Sequence, residues 1–307
     1  MTRHDDRVLL GIDYGGTQTK VLIRDAESGA DRAVEQHAFA TPRGADALGT
    51  LAGQVRAIVA GRDIDAAGIT VAGVVDEDTG VVHRSANLPW LDGANLHEQL
   101  AELLGTRVQT VHDGRAMAVA ESVLGAGRGS DDVFVIALGT GVAGAHVHQG
   151  VARRGAHGAA GEIGHIIGDP GGRLCTCGQR GCLETLIGGA HLADRWSAAT
   201  GSTVTARELF AACDAGDRRA LEIVDEATGA LASAVLGLIA AIDPDRIVLG
   251  GGVGLAGTRV LDALTAKVRA GATFHQLPPI VPAELGVWAG AHGALLAAAP
   301  RGERVLA

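Results

Sequence analysis

Three of the four cysteines in this 307-residue chain fall within eight residues, at Cys175, Cys177 and Cys182, and Gly161-Glu-Ile-Gly-His165 lies just ahead of them. One imidazole and three thiols make a Cys₃His set suited to tetrahedral Zn²⁺. A cation would hold the sulfurs as thiolates, and four protein ligands leave no open position, so the expected role is structural. In a chain without secretory features, such clustering points to metal before disulfide. Glu162 and Glu184 flank the cluster; taken alone, each reads as a solvated carboxylate. Cys213 stands alone on a helical pattern and reads as a small core residue.

Two glycine-rich turns could meet phosphate oxygens: Gly15-Gly16-Thr17 and Gly139-Thr140-Gly141. Such turns present backbone N–H groups and a Thr hydroxyl, and glycine lets an anion approach closely. Gly139-Thr-Gly-Val-Ala-Gly also matches the dinucleotide fingerprint, but the fingerprint needs a helix to follow, and Ala145-His-Val-His alternates as a strand does. A nicotinamide-dependent dehydrogenase therefore has only the glycines in its favour, and no P-loop pattern occurs. Asp113 stands where a strand pattern meets a helix pattern, a place for a general base or for the cap of a helix starting near Arg115. Ile247-Val-Leu-Gly-Gly-Gly-Val ends a buried strand in glycines, at Gly250 and Gly251, with room for a nucleotide or for plain strand-to-helix packing.

The elements that must position these residues alternate. Val8 to Asp13 and Lys20 to Arg24 read as a hairpin, followed by a helix over 45–60, a strand over 68–74, a helix over 95–104, a strand over 108–111 and a helix over 115–124. A similar unit restarts at Val133: aligning VLLGIDYGGTQTKVLI with VFVIALGTGVAGAHVH sets strand on strand and glycine turn near glycine turn. Helices over 206–212 and 217–242, a strand over 246–249, and helices over 255–270 and 290–299 complete the chain. The class is α/β with two lobes. The expected N-terminal lobe is 1–113, with the C-terminal helix of about 290–307 packing back on it, and the C-terminal lobe is 114–289 with the zinc loop.

Composition narrows the function. Apolar residues reach 47%, enough for real cores, and aromatic residues only 3%, too few for sequential base stacking. The formal net charge of −9 argues against a broad nucleic-acid surface. Met1 to Asp6 is polar, and no run reads as long enough to span a bilayer, so the expected setting is the cytoplasm, with no membrane partner.

Taken together, Gly11-Ile-Asp-Tyr-Gly-Gly-Thr, Ala72-Gly-Val-Val-Asp with Asn87-Leu-Pro-Trp, His112-Asp-Gly-Arg-Ala, Ala137-Leu-Gly-Thr-Gly-Val, Gly161-Glu-Ile-Gly-His, Cys175-Thr-Cys-Gly-Gln-Arg-Gly-Cys-Leu-Glu and Ile247-Val-Leu-Gly-Gly-Gly resemble, in order, the ROK family of sugar kinases and sugar-responsive repressors, and within it the bacterial glucokinases. The resemblance implies a two-lobe actin-like, ribonuclease-H-like fold with an interlobe cleft that closes over a hexose and Mg·ATP and phosphorylates the 6-hydroxyl. It implies Asp113 as catalytic base; Asn87, His112, Asp113, Glu162, His165 and Glu184 as sugar contacts, His165 also holding zinc; and Asp13 holding Mg²⁺ through water. Lys20 and the turns Gly15 to Thr17 and Gly139 to Gly141 fall on the phosphate side, Gly250 and Gly251 on the adenosine side. A homodimer or homotetramer is expected, and ATP or polyphosphate could be the donor.

The chain departs from the family at His112, where Asn is usual, at Gly114, where Ala is common, and at Ser85-Ala86, where Ala-Pro is common. These place amino sugars such as kanosamine or N-acetylglucosamine beside glucose as candidate substrates. A sugar-responsive regulator is the alternative from another class, and the ten residues ahead of Gly11 are too few for a helix-turn-helix domain.

Overall fold

A computed structural model describes residues 7–28, 34–85, 87–256 and 258–299. The chain divides into two compact units, Met1–Leu124 with Val287–Ala307, and Gly125–Gly286. The division thus falls after Leu124, not after Asp113, because the helix that Asp113 opens packs within the first unit. Met1 to Asp6, Ala86 and the tail after Ala299 lie outside the described residues.

The first unit runs β1 (Arg7–Tyr14), β2 (Gln18–Asp25), β3 (Glu35–Ala40), α1 (Ala47–Val59), β4 (Asp63–Val71), β5 (Val74–Val75), β6 (Val82–Arg84), α2 (Leu96–Leu104), β7 (Arg107–His112) and α3 (Asp113–Val123). Its sheet has the order β3-β2-β1-β4-β7, antiparallel through β3, β2 and β1 and parallel from β1 to β4 and β7. Side chains alternate across β1: Leu10 and Ile12 pack with α1 and α2, while Leu9 packs with the C-terminal helix Ala289–Ala298. That helix lies directly on the sheet. A Cβ at Gly11 would stand 2.3 Å from the Ala291 carbonyl oxygen, and one at Gly68 1.9 Å from that of Ala294, so only glycine permits the approach. Strand β3 was not legible: Glu35, Gln36 and His37 are polar and none of its six residues is fully buried, although Phe39 packs against the core, as suits a sheet edge.

The second unit runs β8 (Asp132–Leu138), β9 (Val142–His148), β10 (Val151–Ala152), α4 (Glu184–Ile187), α5 (Gly189–Thr200), α6 (Ala206–Asp214), α7 (Arg218–Ile242), β11 (Arg246–Gly250), α8 (Gly251–Gly254), α9 (Arg259–Gly271) and β12 (Ile280–Pro282). Its sheet order is β10-β9-β8-β11-β12, again three antiparallel strands followed by two parallel ones. The internal repeat read from the two hairpins is therefore a repeat of sheet topology. The expected helix over 255–270 starts later, as α9 at Arg259, behind the separate four-residue helix α8, and Ile280–Pro282, between two expected helices, pairs with β11 as β12.

Helix α7 corrects the expectation that no run is long enough to cross a membrane. Its 25 residues are long and apolar enough by length and composition, with half of the most apolar window buried. Ile223, Val224, Leu231, Val235 and Ile239 belong to the core of the second unit, so the hydropathy is that of a core helix. Asp217 caps it, its carboxylate accepting from the Ala220 N–H at 2.9 Å.

Candidate active site and metal centre

In the first unit, β7 runs into α3 without a loop. His112 is the N-cap, extended at φ −63°, ψ 133°, and Asp113 is the first helical residue. The cap reading of Asp113 is thereby corrected: its carboxylate bonds the Gly114 N–H at 2.7 Å, but the capping position belongs to His112, whose side chain makes no cap bond. Desolvation pushes the Asp113 carboxyl above the ordinary aspartate range, against the pull of His112 and the Gly114 N–H; the charge of Asp13 adds to the rise and Arg115 opposes it. With 45% of its side chain still exposed, Asp113 combines a raised proton affinity with access.

The His112 ring is turned toward this carboxylate, Nε2 lying 3.5 Å from Asp113 Oδ1. A Cβ at position 114 would lie 3.3 Å from His112 Cε1 and 3.5 Å from Nδ1. The two departures, His112 and Gly114, thus pack against each other: a methyl group at position 114 would press on the ring by a few tenths of an ångström. The third departure has its own reason, since the Ser85 hydroxyl donates to the Ala72 carbonyl at 2.7 Å and accepts from the Leu88 N–H at 3.2 Å. These bonds hold the loop leading to Asn87.

Asp13 stands near the end of β1, between the buried Ile12 and Tyr14. Its Oδ1 accepts from the Thr70 hydroxyl at 2.8 Å and its Oδ2 from Lys20 Nζ at 3.3 Å, the lysine reaching across the β1–β2 pair. The turn at Gly15 to Thr17 is braced from outside, the Thr41 hydroxyl donating to the Gly15 carbonyl and Arg43 to that of Gly16, each at 2.6 Å. A Cβ at Gly16 would come within 3.4 Å of Asn87 Cβ, so the exposed Asn87 stands beside this turn.

In the second unit, the segment carrying Glu162 and His165 lies against β9, the Gly161 carbonyl accepting from the Gly144 N–H at 2.9 Å. A short 3₁₀ turn, Ile163–His165, brings His165 Nε2 within 3.9 Å of Glu162 Oε2. Glu184 opens α4 and is half-buried, its Oε2 accepting from the Val142 N–H at 2.9 Å; the reading of it as a plain surface carboxylate is corrected. A Cβ at Gly141 would stand 2.3 Å from that oxygen, so this turn glycine makes room for the carboxylate.

The ligand atoms of His165, Cys175, Cys177 and Cys182 all lie within 4.8 Å of one another. His165 Nδ1 is 3.8 Å from Cys175 Sγ, and the Cys177 and Cys182 sulfurs are 3.7 Å apart. Zn–S bonds of about 2.3 Å at tetrahedral angles put two sulfurs roughly 3.8 Å apart, which these separations match, whereas a disulfide needs about 2.05 Å. Burial pushes the Cys182 thiol up to about 11, so a cation is what would make this sulfur a thiolate near neutral pH.

Beside the Gly139 to Gly141 turn, the second unit has a cavity of about 1260 Å³. Gly139, Thr140, Gly189, Arg207, Phe210 and Arg259 are among its walls. Its glycine wall from the β11–α8 junction is Gly252, while Gly250 and Gly251 turn inward, a Cβ on Gly251 falling 2.3 Å from the Leu138 carbonyl oxygen. The walls from α5, α6 and α9 carried no motif; the one available signal was the Gly188-Gly189 pair, where the Gly189 N–H bonds the Gly139 carbonyl at 2.9 Å.

A family model described as the ROK family matches residues 9–300. The chain belongs to the ROK family. Among its relatives, a glucokinase from Thermotoga maritima is 31% identical over 274 residues, covering 85% of this chain and 86% of that one. A kanosamine kinase from Amycolatopsis mediterranei is 33% identical over 293 residues, covering 93% and 94%. Among solved structures, a ROK glucokinase from Streptomyces griseus in complex with glucose and AMPPNP is 30% identical at a TM-score of 0.79, over 95% of this chain and 99% of that one. The repeated sheets of this ROK chain are those of the actin-like, ribonuclease-H-like two-lobe fold.

Proposed function

We propose that this ROK protein is an ATP-dependent hexose kinase that transfers a phosphoryl group to the 6-hydroxyl of glucose or a close analogue. The observation that carries the reading is Asp113: an accessible carboxylate of raised proton affinity at the strand-to-helix junction that resembles the family's catalytic base. The sugar O6 attacks the γ-phosphorus as its proton passes to Asp113; the new O6–P bond forms, the bond from phosphorus to the β,γ-bridging oxygen breaks, and ADP leaves with the electron pair. Such a transition state is loose, so alignment and charge neutralisation do most of the work. Asn87 and His112 of the first unit, and Glu162, His165 and Glu184 of the second, are assigned to sugar hydroxyls. Lys20 and the two glycine turns are assigned to phosphate, and the cavity beside Thr140 to the nucleotide.

The Asp13 carboxylate, 17% exposed, keeps lone pairs beyond those used by Thr70 and Lys20 and fits a water-mediated hold on Mg²⁺. When bound, the ion would screen the negative charge of the phosphates. The Cys₃His cluster fits Zn²⁺, which would fix the His165 ring so that Nε2 stays beside Glu162. The test of the reading is a panel of hexoses and amino-hexoses with MgATP and with polyphosphate; absence of turnover on every sugar would sink it.

An amino-hexose substrate is the second reading, favoured by the His112–Gly114 packing beside Asp113. Asn carries both a donor and an acceptor on one short amide, whereas neutral imidazole carries them on opposite edges of a ring. His112→Asn is expected to raise kcat/KM for glucose relative to a 3-amino or 2-acetamido hexose, by about tenfold given what a mismatched polar contact costs. An unchanged ratio would make His112 a packing residue only.

A further inference from the structure

Glu77 sits in the turn between β5 and β6 and is 6% exposed. Its Oε1 accepts three bonds: from the His112 backbone N–H at 2.9 Å, from Arg115 Nε at 2.9 Å and from Arg115 Nη2 at 2.8 Å. All three donors belong to the junction that carries Asp113, one residue before it and two after. The His112 side chain makes no cap bond, so a buried carboxylate from 35 residues upstream satisfies this helix-terminal amide instead. Arg115 is itself buried, and its charge already lowers the proton affinity of Asp113 from where it stands. Within the first unit, the other charged groups acting on Asp113 are His112 beside it on α3's N-terminus and Asp13 on β1. Asp13 is in turn paired with Lys20 on β2.

We propose that Glu77 is a positioning residue for phosphoryl transfer: it fixes the His112 amide and holds the Arg115 guanidinium away from Asp113, so that Asp113 meets the sugar as a carboxylate not paired to arginine. This rests on the reading of Asp113 as the proton acceptor. The physical argument is competition for one cation. A buried guanidinium that loses its carboxylate is costly and turns to another within reach. Asp113 is a carboxylate on which the Arg115 charge already acts, and a base paired to arginine is a weaker base.

The test is Glu77→Gln, whose amide oxygen still accepts from the His112 N–H but no longer neutralises Arg115. With the sugar that turns over best in the panel, kcat is expected to fall by about tenfold or more while KM for sugar and for ATP stays within about twofold. The acid limb of kcat/KM moves to lower pH, because a neighbouring cation favours the carboxylate form. Adding Arg115→Met removes the cation that Glu77 no longer neutralises and is expected to return the limb and bring kcat back to within about threefold of the wild type. A Glu77→Gln enzyme with wild-type kcat and an unmoved limb overturns the proposal, as does a double variant no better than the single one. Should Glu77→Gln fail to fold, Glu77→Gln/Arg115→Lys is compared with Glu77→Gln/Arg115→Met. Only the first keeps a cation at position 115, and it is expected to be at least about fivefold slower with the lower limb; equal profiles overturn the proposal. Asp113→Asn run in parallel separates the two claims: full activity there sinks the reading of Asp113, whereas an inactive Asp113→Asn beside a wild-type-like Glu77→Gln sinks only the role of Glu77.

Discussion

Asp113→Asn is expected to lower kcat for sugar phosphorylation by about 10²- to 10⁴-fold while the dissociation constant for sugar changes little. The amide has the carboxylate's shape and can still accept from the Gly114 N–H, the 2.7 Å bond that fixes the side chain on the first turn of α3. What it cannot do is take the proton from O6. The fold should not suffer. Desolvation and the charge of Asp13 both disfavour the ionised form of Asp113, so a neutral isostere removes an unfavourable interaction from the native state. The linkage has a definite sign. A carboxyl whose folded pKa is raised binds protons more tightly when folded, so its ionisation costs stability above its unfolded pKa. Asp113→Asn is therefore expected to melt no lower than the wild type at neutral pH, and the difference should shrink as pH falls toward the unfolded aspartate pKa. Isothermal titration with sugar, steady-state kinetics and melting curves at two pH values check the three parts. A variant with near-wild-type kcat would remove Asp113 from the chemistry.

Metal analysis of protein purified without added zinc is expected to find one Zn²⁺ per chain, and Cys177→Ser is expected to lose it. Cys177 is the informative ligand because it alone of the three thiols is exposed, so its replacement disturbs the ligand set and not the packing. Without the metal, the buried Cys182 sulfur reverts to a protonated thiol, and the loop that carries Cys175 and Cys182 is no longer tied to His165. The melting temperature is expected to drop by roughly 5–10 °C, as a loss of about 2–3 kcal/mol does in a unit of this size. The sugar KM should rise more than that for ATP, since the imidazole released is the one facing Glu162. Protein without metal, showing freely titratable thiols and an undiminished melting temperature, would sink the site.

The strand alternation of β1, β2, β8 and β9 and the glycine turns between them were legible because buried strands and tight turns are written in adjacent residues. So was the Cys₃His set, whose four members fall within eighteen positions. Segments whose partners lie far along the chain were not legible. Strand β3 has no fully buried residue because it is the edge of its sheet, and β12 exists because Ile280 and Val281 pair with β11, far back along the chain.

The residue types of the site were thus fixed by the chain itself: Asp113, Glu162, His165 and Glu184 stand in motifs that resemble the family's. Tertiary structure decided their states. Asp113 gains proton affinity from burial and from Asp13, one hundred positions away; Glu184 leaves solvent because Gly141 has no side chain; and Gly252, not Gly250 or Gly251 ahead of it, faces the cavity because Gly251 must clear the Leu138 carbonyl. Glu77 carried no signal at all. Its meaning lies in bonds to His112 and Arg115, and these join residues 35 to 38 apart because the β5–β6 ribbon packs against β7, which local pattern does not encode.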